Sequence, residues 1–361
     1  MAHSRARWLV ALVLAFGLVA TACGSDKKSD GGSGGDSSST TAPAKELAAA
    51  TLNGSGATFP QAYYETVIAE FKTAQPNVTV TYGGGGSGKG QTDLQAGLVQ
   101  WAGSDSTVKP EDVSKFQGPF LYFPTVAAPI TVSYNLSGVK SLQLSPSTLA
   151  GIFSGKITTW DDAAIKTDNP KATLPSTAIT VAHRADGSGT TANFTAYLVA
   201  AAGSDWALGT DKVVNWPTGQ QAGNGNAGVA QIVKDTDGSI GYVDYSDAKA
   251  SGLVFAAIKN KSGKYVAPSL DSATAALAGA TVNSDLTYNP LNAPGADAYP
   301  ITAPTYILVY TTQSDANVKA ALQGFLDYIY GEGQTLAESV DFAKLPADLL
   351  SKAQAQVKDI K

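Results

Sequence analysis

The chain has 361 residues, 43% hydrophobic and 15% charged, which describes a globular protein with a sizeable core and room for two domains. Its single cysteine excludes a disulfide framework and a thiolate metal cluster. Its formal net charge of −5 argues against nucleic acid or an acidic polymer as partner, since both need a basic face.

At the N-terminus, Arg5 and Arg7 precede an apolar run over 8–20 that is short for a membrane span and right for a signal segment. Ala20, Thr21, Ala22 and Cys23 follow, and this resembles the lipobox of bacterial lipoproteins. Residues 1–22 are therefore expected to be a cleaved signal peptide, with Cys23 lipidated as the mature N-terminus and the lipid as the membrane contact. Cleavage removes two arginines and no acids, leaving 23 basic against 30 acidic side chains, a balance of −7. Residues 24–46 are low-complexity Gly, Ser, Asp and Thr, so 23–47 reads as a lipidated cysteine and flexible tether. The GGSGG at 31–35 fits a G-x-S-x-G nucleophile elbow, and within a tether that match is chance.

The fold is expected to begin near Leu47. A loop over 54–59 leads to a helix over 61–73, whose apolar positions Tyr64, Val67, Ile68 and Phe71 share a face. An alternating strand over 78–82, a glycine-rich loop over 83–90 and a helix over 91–100 come next, then a short strand that presents Asp105 at its end. Strand-like segments at 120–123 and 130–134 flank Pro124 and Pro129, and that join reads as a crossing between domains. Further on, 146–153 looks helical, 157–162 is a turn with Trp160, and 220–238 is a loop entering a short helix before a strand over 239–245. Residues 270–280 read as helix and 287–303 as the return crossing. A strand over 307–310, a helix over 317–330 and a helical tail over 332–356 close the chain. Alternating strands and helices imply an α/β fold, with the first domain completed by the C-terminus.

Residues 179–199 are the stretch with most chemistry: a strand end, a polar loop over 184–191, then a helix start. The first amides of a helix lack intrahelical acceptors and, with the helix dipole, favour an anion. Gly187 and Gly189 permit close backbone approach, and Ser188, Thr190 and Thr191 add hydroxyl donors. Arg184 is one of three arginines, and the other two lie in the leader. Residues 51–71 and 78–102 repeat the order strand, Gly/Ser/Thr loop, helix, and three such units suit one anion held by three helix N-termini.

Other motifs weigh less. GGGGSGKG at 83–90 fits the phosphate-binding P-loop until its last place, where Gly90 replaces the hydroxyl that holds magnesium. Gly223, Gly225 and Gly228 fit a dinucleotide fingerprint without a clear preceding strand or the expected acid, so a flexible loop is the better reading. His183 is the one histidine outside the leader, too few for a usual zinc site, and a structural role at a strand end is expected. Asp186 stands two residues from Arg184, close enough to orient its guanidinium. Asp105 places an acceptor near the expected anion, which makes sense only if that anion carries a proton, as hydrogen phosphate does and sulfate does not.

The pieces GSGATFP at 54–60, the Ser87 loop, AGSD at 102–105, KITTWD at 156–161, RADGSGT at 184–190, GYVDY at 241–245 and YPIT at 299–302 form a specific set. With them the chain resembles the phosphate-binding proteins of bacterial high-affinity phosphate ABC transporters, from Leu52 to the C-terminus. The resemblance implies a two-lobed periplasmic-binding-protein clamshell of type II, hinged on two crossover strands, with lobe one at 48–128 plus 300–361 and lobe two at 129–299. It implies ligand contacts from Thr58, Phe59, Ser87, Asp105, Arg184, Ser188, Gly189 and Thr190, with Asp186 pairing the arginine, and no catalytic residue, metal or cofactor. It further implies inorganic phosphate as ligand and an ABC permease as partner. Gly88 and Lys89 depart from the family's usual Ser or Thr after the contact serine, which leaves contacts beyond Ser87 open; Lys89 is placed to steer anions without touching them. A receptor for another tetrahedral oxyanion such as sulfate, and a secreted phosphatase, remain as alternatives.

Overall fold

The computed structural model describes residues 46–361. The expected signal peptide, Cys23 and nearly all of the tether lie outside the described residues. Nine strands form one mixed sheet: β1 (Ala50–Gly56), β2 (Val78–Gly83), β3 (Trp101–Ser104), β4 (Phe120–Asn135), β5 (Thr180–Arg184), β6 (Gln221–Gly223), β7 (Ser239–Asp244), β8 (Val254–Phe255) and β9 (Thr302–Tyr310). They run in the order β2-β1-β3-β9-β4-β7-β5-β6, with β8 pairing β4.

This sheet is really two, joined by one long strand. The first ten residues of β4 pair β9, from Phe120 opposite Tyr310 to Pro129 opposite Thr302. The last six, from Ile130 to Asn135, pair β7. The return path runs alongside, where the Ile130 amide donates to the Ile301 carbonyl at 2.7 Å and the Tyr299 hydroxyl to the Ile130 carbonyl at 3.0 Å. Parallel strands β2, β1 and β3 thus belong to one lobe and β7, β5 and β6 to the other, with β4 and β9 as the crossings. The first lobe packs Tyr63, Tyr64, Phe71, Trp101 and Phe325 around its sheet, and the second packs Phe153, Phe194, Tyr197 and Tyr242.

Several expectations are corrected. Pro124 and Pro129 do not divide β4, which is continuous over 16 residues. Proline lacks a ladder donor, and here Pro124 sits beside a bulge in which Thr125 and Val126 of β4 face the single Thr305 of β9. The return strand starts at Thr302 rather than 307. The tail over 332–356 is not one helix: a π turn at Ile329–Gly333 and a left-handed Asp341 break it before Ala347–Gln356.

Four helices start at the cleft: α1 (Gln61–Ala74), α2 (Ser87–Gln95), α3 (Gly189–Ala202) and α4 (Gly225–Asp235). Two begin earlier than periodicity predicts, α2 at 87 instead of 91 and α3 at 189 instead of 192. Glycine disfavours helix, yet Gly90 is there because a Cβ would meet the Ser55 carbonyl and Gly56 Cα at 2.7 Å. The segment expected to be a flexible loop, 223–228, is a fourth strand-turn-helix unit, since β6 pairs β5 in parallel and leads directly into α4. Its glycines serve packing: a Cβ at Gly223 would stand 2.6 Å from the Val229 amide.

Candidate functional site

The first lobe brings three loops to the cleft. β1 leads through Ala57 to Thr58 and Phe59, ahead of α1. The Phe59 ring is buried against Phe342, edge to face at 5.9 Å, so only its backbone is free to contribute to the cleft. Ser87 is the first residue of α2 and is fully buried. Asp105 follows β3, is 2% exposed, and is held on every side. Its Oδ1 accepts from the Thr305 hydroxyl at 2.7 Å, its amide donates to Ser87 Oγ at 3.1 Å, and Ser87 Oγ lies 3.4 Å from its Oδ2. Thr305 is the β9 residue at the bulge, so that irregularity aims the hydroxyl that holds this acid.

The second lobe supplies the charge. Arg184 ends β5 with its side chain 1% exposed, and its guanidinium forks onto Asp186, Nε to Oδ1 at 2.7 Å and Nη2 to Oδ2. The Gly225 amide donates to the same Asp186 Oδ1 at 3.0 Å. Arg184 Nη1 points to Thr190 Oγ1 at 3.4 Å. Ser188 caps α3, its hydroxyl accepting from the Thr191 amide at 3.1 Å, and Gly189 and Thr190 form the buried first turn. The expected pairing of Asp186 with Arg184 is therefore present.

The two halves are in contact. The Gly88 amide donates to the Gly187 carbonyl at 2.8 Å, and the Asn193 amide group donates to the Asp105 carbonyl at 2.6 Å. A Cβ on Gly189 would stand 2.3 Å from Ser87 Oγ and 2.8 Å from Asp105 Oδ2. Gly86, at φ +91°, faces Asp186 at a place where a Cβ would meet its Oδ2 at 2.2 Å. At the rims Lys109 pairs Asp211 and Lys249 pairs Asp341, each at 2.5 Å. Lys89, which the sequence places to steer anions without touching them, pairs Asp93 one turn further along α2.

Electrostatics separates the two acids. Burial pushes Asp105 up from the usual 3.8 to about 7, against the lowering effects of the Thr305 hydrogen bond, the Arg184 charge and Ser87. Burial also acts on Asp186, but the Arg184 hydrogen bonds and charge and the Gly225 amide outweigh it and hold that carboxyl below its ordinary value. One side of the cleft thus has a permanent cation with its counter-ion, and the other has an acid poised between its two forms. Around them stand hydroxyls and the first amides of helices, an array that can surround a small oxyanion and offer one acceptor to a proton on it. His183 is occupied elsewhere, its ring stacked on Trp216 at 5.1 Å and its Nδ1 2.9 Å from the Arg184 carbonyl. Among the described residues no cluster of His, Cys, Asp or Glu could hold a metal ion.

Sequence reasoning missed Thr305 and Asn226. Asn226, fully buried at the start of α4, donates from Nδ2 to Thr58 Oγ1 at 3.1 Å and to Thr190 Oγ1 at 3.4 Å. The signal available for it was the strand, glycine and helix order that marked the other three units. Thr305 had none, being distant in sequence and placed by a bulge.

Two α/β lobes on crossing strands, closed over a buried polar cleft, define the class of two-lobed solute-binding proteins, and the model of the PBP superfamily domain matches residues 41–332. The chain belongs, within that superfamily, to the family of the phosphate-binding proteins called PstS. It is 37% identical over 316 residues to the phosphate-binding protein PstS of Pasteurella multocida, covering 86% of this chain and 90% of that one. It is 39% identical to the protein of that name from Methanocaldococcus jannaschii, covering 77% and 78%. With PstS3 of Mycobacterium bovis it shares 34% over 97% of both chains. Among solved structures, a high-affinity periplasmic phosphate-binding protein bound with phosphate superposes with a TM-score of 0.72 at 25% identity, over 85% of this chain and 94% of that one.

Proposed function

We propose that this protein is an extracytoplasmic, non-enzymatic receptor that captures inorganic phosphate between its lobes and delivers it to an ABC permease in the membrane. The observation that carries the reading is the pairing across one cleft of a buried guanidinium with a buried carboxyl whose proton affinity is raised. Arg184 answers the anion's charge, and Asp105 answers the proton that phosphate retains near neutral pH. The donors are Thr58 and the Phe59 amide, Ser87, Ser188, Gly189 and Thr190. Closing two lobes desolvates an anion, which is tolerable only when each oxygen meets a donor, and this site is dense in them. The printed names of the relatives, and the phosphate bound in the solved structure, support the same ligand. The change of β4 partner between Pro129 and Ile130, and the entry to β9 at Thr302, support lobes of 48–128 plus 300–361 and 129–299. The lipobox supports anchoring through lipid on Cys23, with 23–47 as tether.

Calorimetric titration of the purified protein with phosphate, arsenate and sulfate at fixed pH and ionic strength tests the reading. Tight binding of phosphate and arsenate with weak sulfate is expected, and sulfate bound as tightly as phosphate overturns it. No turnover of a phosphate ester, with or without divalent metal, is expected in the same preparation.

A further inference from the structure

We propose that Asn226 is a positioning residue that fixes the hydroxyls of Thr58 and Thr190, one from each lobe, as hydrogen-bond donors toward the ligand. The proposal rests on the phosphate reading above and concerns a residue outside its contact set.

The orientation of the Asn226 side chain is set by its neighbours. The Asp244 amide, which can only donate, faces Asn226 Oδ1 at 3.3 Å, so the Nδ2 end turns to the cleft. There Nδ2 meets Thr58 Oγ1 at 3.1 Å, and the Asn226 backbone amide meets the same oxygen at 3.2 Å. A hydroxyl has two lone pairs and one proton. Both lone-pair directions of Thr58 are therefore taken by donors from Asn226, and its proton is what remains to offer. Thr190 is treated alike, with Asn226 Nδ2 and Arg184 Nη1 both at 3.4 Å from its Oγ1. Left alone, a hydroxyl rotates to donate or accept as its partner requires. Under these donors the two hydroxyls can only donate, so a proton on the ligand finds no acceptor in either of them. The ligand's proton is directed to the acceptor at Asp105, and Asn226 sets the orientation of the anion as well as its affinity.

Asn226→Asp replaces the donor by an acceptor and turns both hydroxyl protons away from the ligand. Phosphate affinity at pH 8 should fall by about tenfold or more, the scale of a lost hydrogen bond to a charged group. Relative to the unaltered protein at each pH, affinity should recover as the pH falls and the new carboxyl gains a proton to donate. Asn226→Ala carries the test should that variant fail to fold, and both are checked by melting without phosphate. In the unaltered background Asn226→Ala should cost several-fold in affinity, and in a Thr58→Val, Thr190→Val background it should cost nothing further, since the hydroxyls it orients are gone. Equal cost in both backgrounds, or Asn226→Asp binding like the unaltered protein at every pH, overturns the inference. Absence of phosphate binding by the unaltered protein overturns the reading beneath it instead.

Discussion

The two halves of the cleft are built on the same plan and do different work. Each places loops and helix N-termini at the ends of parallel strands, yet the half on β5 and β6 is complete within itself. Arg184, Asp186 and the Gly225 amide satisfy one another through side-chain and backbone bonds that stay inside one lobe. The half on β1, β2 and β3 borrows instead: Asp105 is held by Thr305 from the returning chain, and its carbonyl and Thr58 are held by Asn193 and Asn226 from the opposite lobe. A preorganised charge on one side and an assembled acid on the other separate capture from discrimination. Coulombic attraction needs only the first, while recognition of the ligand's proton needs the lobes closed.

The largest effect is expected from the self-contained half. Arg184→Ala removes a buried, charge-assisted contact and leaves Asp186 without its partner, so phosphate binding should weaken by roughly 30-fold or more, the scale of losing one member of a buried charged pair. Arg184→Lys should recover only part, since a point charge cannot serve Asp186 and the ligand through one planar fork. Titration calorimetry decides, and unchanged affinity in Arg184→Ala would remove this residue from the site.

The assembled half should respond in selectivity. Asp105→Asn replaces a carboxylate that repels sulfate with an amide that can donate to it, while Thr305 can still donate to the amide oxygen. Sulfate affinity should rise by about tenfold or more, because a like-charge juxtaposition costs several kcal/mol, and phosphate need not bind worse. An unaltered ratio between the two anions would place discrimination elsewhere.

Acidity contrasts the halves without ligand. Asp105 takes up its proton more readily folded than unfolded, so its contribution to stability is complete below about 3.8 and is lost as the pH rises toward about 7, on the order of 4 kcal/mol across that window. Asp186 behaves oppositely, contributing above the ordinary carboxylate value and losing that contribution as the pH falls. Melting of the ligand-free protein from pH 4 to 8 should show a slope to which Asp105 adds beside Asp244 and Asp247, whose carboxyls burial also raises, and Asp105→Asn should make that slope shallower. Smallest of all is the effect of the anchor on either half. Cys23→Ser should release the protein from membranes and leave phosphate affinity unchanged, and a variant that stays bound would end the lipidation reading.

What sequence made legible follows the same division. Arg184, Asp186, Gly189 and Thr190 lie within seven residues, and a local cluster around the sole arginine beyond residue 22 reads directly from the chain. The glycine-rich loops of the other lobe were equally plain, yet their helix start was not. Gly88 and Gly90 look like loop residues by propensity, and the close approach of Gly187 and Ser55 explains why glycine stands in the first turn of α2 all the same. Prolines 124 and 129 look like breaks in a strand because their cost depends on the neighbouring strand, and a bulge opposite one of them was invisible in advance. Asn226 was hidden by its own glycine-rich surroundings, which serve packing as well as flexibility.

The route of β4 and β9 also sets an order of assembly. The sheet of lobe two draws on chain between 120 and 255, and all of it is available while the last third of the protein is still being made. Lobe one has no such independence. Its strand β9 must slot between β3 and β4, and Thr305 reaches Asp105 across 200 residues of sequence. Until that segment arrives, the β3 and β4 edges that it pairs lie open, and bringing it back across so long a loop carries an entropic cost. The lobe that reads the proton is thus the one whose formation waits for the C-terminus, and a nascent chain cut short before residue 302 retains the arginine while having no strand to hold the acid.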